Sequence, residues 1–181
     1  MALDGPDPCP SHGNLRHRPM LILDATLSDL PQIAAIYDHE VRTSTCTFDT
    51  HLRNARQQAA WFDVHRSPSY PLLVAKEGER VLAWATLSPW SDRGAYARTV
   101  EGSLFVQAAH RRGGVGRGLL TALVDRAREA GHGVLLGRVE ASNEASRRML
   151  VGAGFVSVGV MHRVGEKFGR LLDVEILELM L

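Results

Sequence analysis

Residues 106–130 read V-Q-A-A-H-R-R-G-G-V-G-R-G-L-L-T-A-L-V-D-R-A-R-E-A. An apolar run of strand character, Ser103 to Val106, leads into a turn rich in Arg and Gly. Val115, Leu119, Leu120, Leu123, Val124 and Ala127 then recur at helical spacing, which predicts an amphipathic helix. A strand, a basic glycine turn and a helix start together form an anion cradle. The glycines allow close approach, the first-turn amides lack intrahelical partners, and the helix dipole places partial positive charge there. Two familiar glycine motifs fail. A P-loop needs Gly-Lys-Ser/Thr, but Gly116 is followed by Arg117. A dinucleotide fingerprint needs a third glycine where Leu119 stands. What remains is Arg111-x-x-Gly114-x-Gly116.

Working outward, residues 1–19 are rich in Pro and Gly and poor in large apolar groups, which predicts a disordered tail. Patterned sequence begins at Met20 and reads as a single domain, 20–181. Met20–Ala25 reads as a strand, and Ser28 is the expected N-cap of a helix running to about Val41. Thr43–Phe48 is β-branched and hydroxyl-rich, suited to a pocket wall or a polar connector. A helix over Arg53–His65 precedes a hairpin of Pro71–Lys76 and Arg80–Leu87, and Trp90–Tyr96 reads as a loop. Arg98–Val106 is the strand that feeds the cradle. Past the central helix, Gly131 and Gly133 signal a stop and Val134–Glu140 a strand. Asn143 caps a short helix to Leu150. Val156–Val164 and Leu171–Leu179 close the chain as antiparallel strands about a turn at 165–170. The alternation of elements predicts an α/β domain with helices on both faces of a mixed sheet.

The chain has 181 residues and a formal net charge of +1, a balance that argues against a nucleic-acid or membrane-surface partner. It has no apolar run of transmembrane length and no signal-peptide pattern. Its two cysteines, Cys9 and Cys46, make no disulfide framework. The expected setting is a reducing cytoplasm. The eight histidines show no ligand spacing, so no metal site is expected.

Arg111-x-x-Gly114-x-Gly116 resembles the pyrophosphate signature of the GNAT superfamily of N-acetyltransferases, which use acetyl-CoA. Asn143-x-x-Ser146 with Ala153-Gly154-Phe155 resembles the element that follows that cradle in the same superfamily. More narrowly, four stretches resemble the phosphinothricin and methionine sulfone/sulfoximine acetyltransferase branch: Ile36–His39, Arg93–Tyr96, Thr99–Ser103 and Val164–Asp173. The resemblance implies a GNAT fold: a mixed, mostly antiparallel sheet of about seven strands flanked by about four helices. It also implies acetylation of the primary amine of a small amino-acid-like substrate by direct attack in a ternary complex, and a homodimer.

The chemistry is attack of a neutral amine on a thioester. An α-amine has a pKa of ~8, so a base must remove a proton near neutrality. Glu101 stands at the family's base position. Backbone amides near Phe105 or Val106 would polarise the carbonyl. The resemblance assigns Arg111, Arg112, Gly113, Gly114, Val115, Gly116 and Arg117 to the pyrophosphate, with Asn143 and Ser146 on the CoA side. Arg93 would hold an acid group, with Tyr96 and Phe48 lining the acceptor pocket. Trp84 and Trp90 read as core or pocket packing. Many relatives carry His where this chain has Leu150 and Gly102, and Arg where it has Ala97; these departures put the acceptor in doubt. The competing expectations are an acyl-CoA-binding module that has lost catalysis, and an acetyltransferase for another amine such as a polyamine or peptide N-terminus.

Overall fold

The computed structural model describes residues 19–181; the expected tail therefore lies, but for Pro19, outside the described residues. Seven strands form one sheet: β1 (Leu21–Asp24), β2 (Leu72–Glu77), β3 (Arg80–Pro89), β4 (Thr99–Val106), β5 (Val134–Glu140), β6 (Val156–Lys167) and β7 (Arg170–Met180), in the order β1-β2-β3-β4-β5-β7-β6. Only β4 and β5 pair in parallel. Four helices cover it: α1 (Leu30–Thr43), α2 (Ala55–Val64), α3 (Val115–Glu129) and α4 (Glu144–Val151).

Strand alternation sorts the core into two layers. Leu73, Ala75, Ala83, Ala85 and Leu87 pack with the buried stripe of α3 and with Leu150 of α4. Leu72, Val74 and Trp84 face α1 and α2, against Ile33, Ile36, Tyr37 and Phe62. The helical spacing of residues 115–127 is thus what covers one face of the sheet. α3 starts at Gly114 (φ +83°) and stops before Gly131 (φ +78°), both left-handed.

Two boundaries differ from those expected. Ser28 does not cap α1. It lies in a 3-10 turn, Leu27–Asp29, where the buried Asp29 carboxylate accepts from both the backbone N–H and the hydroxyl of Thr26 (2.9 Å each) and from Lys76 Nζ (2.7 Å). Charge pairing with a distant strand fixes that helix start. The last hairpin is also longer than its glycine-rich sequence suggested: β6 runs to Lys167, and the turn is only Phe168 and Gly169, both at positive φ. Gly165 pairs with Leu172 in the strand, and its lack of a side chain makes room for the Phe48 ring, since a Cβ there would stand 2.2 Å from Cε2.

The feature that creates a site is a parting of strands. β4 and β5 pair only from Thr99–Val134 to Glu101–Leu136, yet β4 continues to Val106 and β5 to Glu140. Beyond Glu101, β4 keeps its partner β3 and β5 keeps β7. Both strands therefore present backbone groups to an opening in the middle of the sheet.

Candidate active site

A cavity of about 500 Å³ occupies this opening and is lined from both faces of the sheet. On the α3–α4 side its wall is Leu120, Leu123, Met149, Leu150, Asn143 and Ser146. On the α1–α2 side it is Tyr37, Arg53, Trp61 and Trp84 with the loop residues Cys46–Asp49. Glu101 lies between, at the last paired position of β4.

The helix start on the first side has the form expected from its glycines. The first intrahelical bond runs from Gly118 N–H to the Gly114 carbonyl (3.0 Å), so the amides of Val115, Gly116 and Arg117 have no intrahelical acceptor. A Cβ on Gly116 would meet Met149 Sδ at 3.2 Å and Val106 Cγ2 at 3.3 Å, so glycine there lets α3 sit against β4 and α4. A Cβ on Gly114 would meet nothing within 4 Å. Arg112 takes a left-handed φ of +63°, a strained conformation for a residue with a side chain. Arg112, Gly113, Gly114 and Arg117 are exposed and Val115 is buried. Asn143 caps α4 by accepting from Ser146 N–H (3.1 Å), which brings both residues to the cavity edge.

Arg111 behaves differently from the expectation. Its guanidinium turns back to the buried carboxylate of Glu40 and donates Nε–H to the Val106 carbonyl (3.1 Å). Burial alone would raise the Glu40 pKa, but hydrogen bonds from Ser44 and Cys46 and the Arg111 charge bring it below the ordinary carboxylate value. Arg111 thereby ties the cradle to the loop that walls the other side.

That loop is fixed from three directions. Glu40 accepts from Ser44 Oγ (2.8 Å) and Cys46 Sγ (3.1 Å), Tyr37 hydroxyl donates to Asp49 (2.7 Å), and buried Lys167 donates to the Thr47 carbonyl (2.7 Å). Burial, reinforced by Asp49, pushes the Tyr37 phenol up to about 12, so it remains a neutral donor. Burial and the Glu40 carboxylate push the Cys46 thiol up to about 11, so it is no thiolate nucleophile at neutral pH. The expectation of a pocket wall over Thr43–Phe48 holds for Cys46, Thr47 and Phe48.

Glu101 meets a partner that reading the sequence did not single out. Both of its oxygens accept from Arg138 on β5, Oε1 from Nε and Oε2 from Nη2, each at 2.7 Å. The one available signal was an Arg set between apolar neighbours in the strand V-L-L-G-R-V-E. Arg53, stacked 4.7 Å from the Tyr37 ring centroid and 5.1 Å from that of Trp61, was likewise missed; nothing in its neighbourhood marks it. Trp84 is buried on the cavity wall, and its indole N–H has no partner among the described residues. Such a donor is suited to an oxygen of a bound molecule.

Two expected acceptor residues do not come to the cavity. Arg93 and Tyr96 lie exposed at a 3-10 turn, Gly94–Tyr96, outside its lining. That turn joins β3 to β4; Phe48 alone of the expected three lines the cavity. The Phe105 amide also differs. Gln107 N–H points to Leu82 on β3 (2.8 Å) and Thr99 carbonyl accepts from Trp90 N–H on that side. By alternation Phe105 N–H faces β3, while those of Leu104 and Val106 face the opening. A Cβ on Gly102 would reach Leu135 at 3.3 Å and Leu123 at 3.4 Å, so its side chain is dispensed with for packing. No group of three or more His, Cys, Asp or Glu among the described residues is arranged to hold a metal.

A sheet opened between two parallel strands, amides free at a glycine helix start on one side and a carboxylate at the junction suit transfer of an acyl group between two ligands bound from opposite faces. The profile of the Acetyltransferase (GNAT) family matches residues 33–155; the chain belongs to that family. It is an N-acetyltransferase that uses acetyl-CoA. Within the family it stands among the phosphinothricin and methionine sulfoximine/sulfone acetyltransferases. It is 37% identical over 159 residues to an L-methionine sulfoximine/L-methionine sulfone acetyltransferase of Pseudomonas aeruginosa, covering 87% of this chain and 92% of that one. An L-amino acid N-acyltransferase of Escherichia coli is 35% identical over 162 residues, 90% and 94% of the two chains. The crystal structure of a Sinorhizobium meliloti phosphinothricin acetyltransferase in complex with acetyl-CoA superposes with a TM-score of 0.86 at 28% identity, covering 90% of this chain and 88% of that one. No helix among the described residues is long and apolar enough to cross a membrane.

Proposed function

We propose that this enzyme transfers the acetyl group directly to the primary amine of a small amino-acid-like acceptor of the phosphinothricin, methionine sulfone or methionine sulfoximine type, with both substrates bound at once. The carrying observation is the cavity through the parted β4–β5 strands, walled on one face by Leu120 and Leu123 of α3 with Asn143 and Ser146, and on the other by an aromatic, cationic pocket. The raised thiol pKa of Cys46 supports direct attack, since it disfavours an acyl-cysteine intermediate.

Bound acetyl-CoA supplies the electrophilic thioester carbonyl. Amides of Val115, Gly116 and Arg117, with the Arg112 and Arg117 side chains and Gly113 and Gly114 leaving room, hold its pyrophosphate. Asn143 and Ser146 border the pantetheine path. The gap-facing amides of Leu104 and Val106 donate to the carbonyl oxygen as it gains charge. Glu101 takes one proton from the acceptor ammonium, the amine nitrogen attacks the carbonyl carbon and sheds its second proton to water, and the C–S bond breaks. With Leu150 in place of a titratable group, the thiolate takes its proton from water. Phe48, Trp61 and Trp84 shape the acceptor pocket. The acting species is a homodimer, a reading supported by Val156, Val158 and Val160, exposed on the terminal strand of the sheet.

The test is release of free CoA from acetyl-CoA with methionine sulfone, methionine sulfoximine, phosphinothricin and polyamines. At least one amino-acid analogue is turned over. Glu101→Gln lowers kcat by about 10²–10⁴-fold with acetyl-CoA affinity nearly unchanged. CoA binding without turnover on any amine would favour a module that has lost catalysis. Loss of CoA binding in the variant would make Glu101 structural.

A further inference from the structure

We propose that Arg138 is the anion anchor that selects acceptors carrying an acid group, which docks on its free Nη1–Nη2 edge and so brings the amine beside the Glu101 base. The inference rests on the acetyl-transfer reading above.

Arg138 is the one exposed residue in a strand whose neighbours Leu135, Leu136, Gly137, Val139 and Glu140 are buried, and it faces the cavity. In the parallel register Glu101 pairs with Leu136, so Arg138, two residues on, shares its face and stands across the opening from Glu101. Stability does not explain the pair. The Arg138 side chain is 51% exposed, and a pair so open to water contributes little to folding.

The donor count is more telling. A guanidinium has five N–H donors. Arg138 gives one from Nε and one from Nη2 to Glu101, and its remaining three have no partner among the described residues. Its carbon lies 5.7 Å from the Trp90 ring centroid, a contact that braces the plane and leaves the Nη1–Nη2 edge for a ligand. The other cavity guanidinium, Arg53, is engaged with Asp49 (3.5 Å) and two aromatic rings. An α-amino acid carries its amine on the carbon next to the acid group. An acid docked on Arg138 therefore brings its amine to the carboxylate that shares the same guanidinium. Docked on the Nη1–Nη2 edge, the acid leaves Oε1 with Nε and Oε2 with Nη2, and the carboxylate's remaining lone pairs accept the amine proton. An acceptor without an acid group lacks this anchor, and its amine is not held at Glu101.

The experiment compares kcat/KM for L-methionine sulfone and its C-terminal amide in the wild type, Arg138→Gln and Arg138→Lys, with melting temperature and acetyl-CoA affinity as controls of folding. Arg138→Gln should lower kcat/KM for the acid about 30-fold and for the amide by less than about threefold, with Arg138→Lys between. Equal losses for both acceptors would mean that Arg138 only orients Glu101, and no loss for the acid would mean that the anchor lies elsewhere; either overturns the proposal. An independent readout is the Arg138 Nε–H NMR resonance, which should move on titration with methionine sulfone and not with the amide. If the wild type acetylates neither compound, the acetyl-transfer reading has failed for these acceptors, and the resonance alone still decides the anchor; an unmoved signal refutes it.

Discussion

Replacing Gly114 by Ala separates the cost of a left-handed backbone from the loss of a phosphate site, because α3 supplies its own control. Gly114 and Gly131 flank the two ends of the helix with φ of +83° and +78°, and a Cβ on either would meet no atom within 4 Å. An L side chain in that conformation costs about 1–2 kcal/mol. For a chain of this length each kcal/mol lowers Tm by about 2–4 °C. Both Ala variants should thus melt about 2–8 °C below the wild type and within a degree or two of each other. They should part in cofactor binding. At Gly114 the new methyl projects into open space at the helix start, where a diphosphate seated on the amides of 115–117 would be pushed off one charge-assisted hydrogen bond. Such a bond contributes about 1.5–3 kcal/mol, a loss of about 10–150-fold in affinity. Isothermal titration with CoA should show that loss for Gly114→Ala and an unchanged Kd for Gly131→Ala. S-acetylpantetheine, which lacks the diphosphate, should be used equally by both variants. Equal CoA affinity in the pair, or an equal penalty on S-acetylpantetheine, would refute the cradle.

Gly165→Ala would place a methyl 2.2 Å from the Phe48 ring; the half-exposed ring should swing aside, raising the acceptor KM severalfold while the acetyl-CoA KM and Tm hold nearly steady. The buried carboxylates of Asp29, Glu40 and Glu140 are each held below their ordinary values of 3.8, 4.5 and 4.5, because hydrogen bonds to the charged form outweigh burial. A depressed carboxylate pKa stabilises the fold fully above the unfolded value and loses that contribution as pH falls through the folded one. Denaturant midpoints should therefore fall steadily below about pH 4; a midpoint that rose on acidification would contradict it. Val158→Lys on the outer face of β6 should shift sedimentation from dimer toward monomer, and an unchanged assembly would exclude that face as the interface.

The glycine helix start was legible because it is local. Glycines at 114 and 116 act through backbone conformation and close approach within one turn, and the apolar spacing of residues 115–127 is a property of a single helix. The same holds for Asn143, whose side chain caps the segment that follows it. Glu101 could be picked out as a candidate on its strand, yet its partner could not, because Arg138 lies on another strand and reaches it only through the β4–β5 register. Arg111 shows the converse: its place in the motif suggested a phosphate contact, while the buried carboxylate of Glu40, far off in the chain, claims its guanidinium. Arg93 and Tyr96 read as pocket residues, yet in the folded chain they lie exposed at the β3–β4 connection, outside the cavity lining.

The order of elements, the glycine helix start and the strand carrying the carboxylate were fixed by sequence alone, since hydrophobic periodicity and backbone allowance are short-range. Where β4 leaves β5, which amides that parting bares, and which charges meet across it were decided only in the folded molecule. Pairing between strands depends on packing from both faces, and no neighbouring residues in the chain encode it.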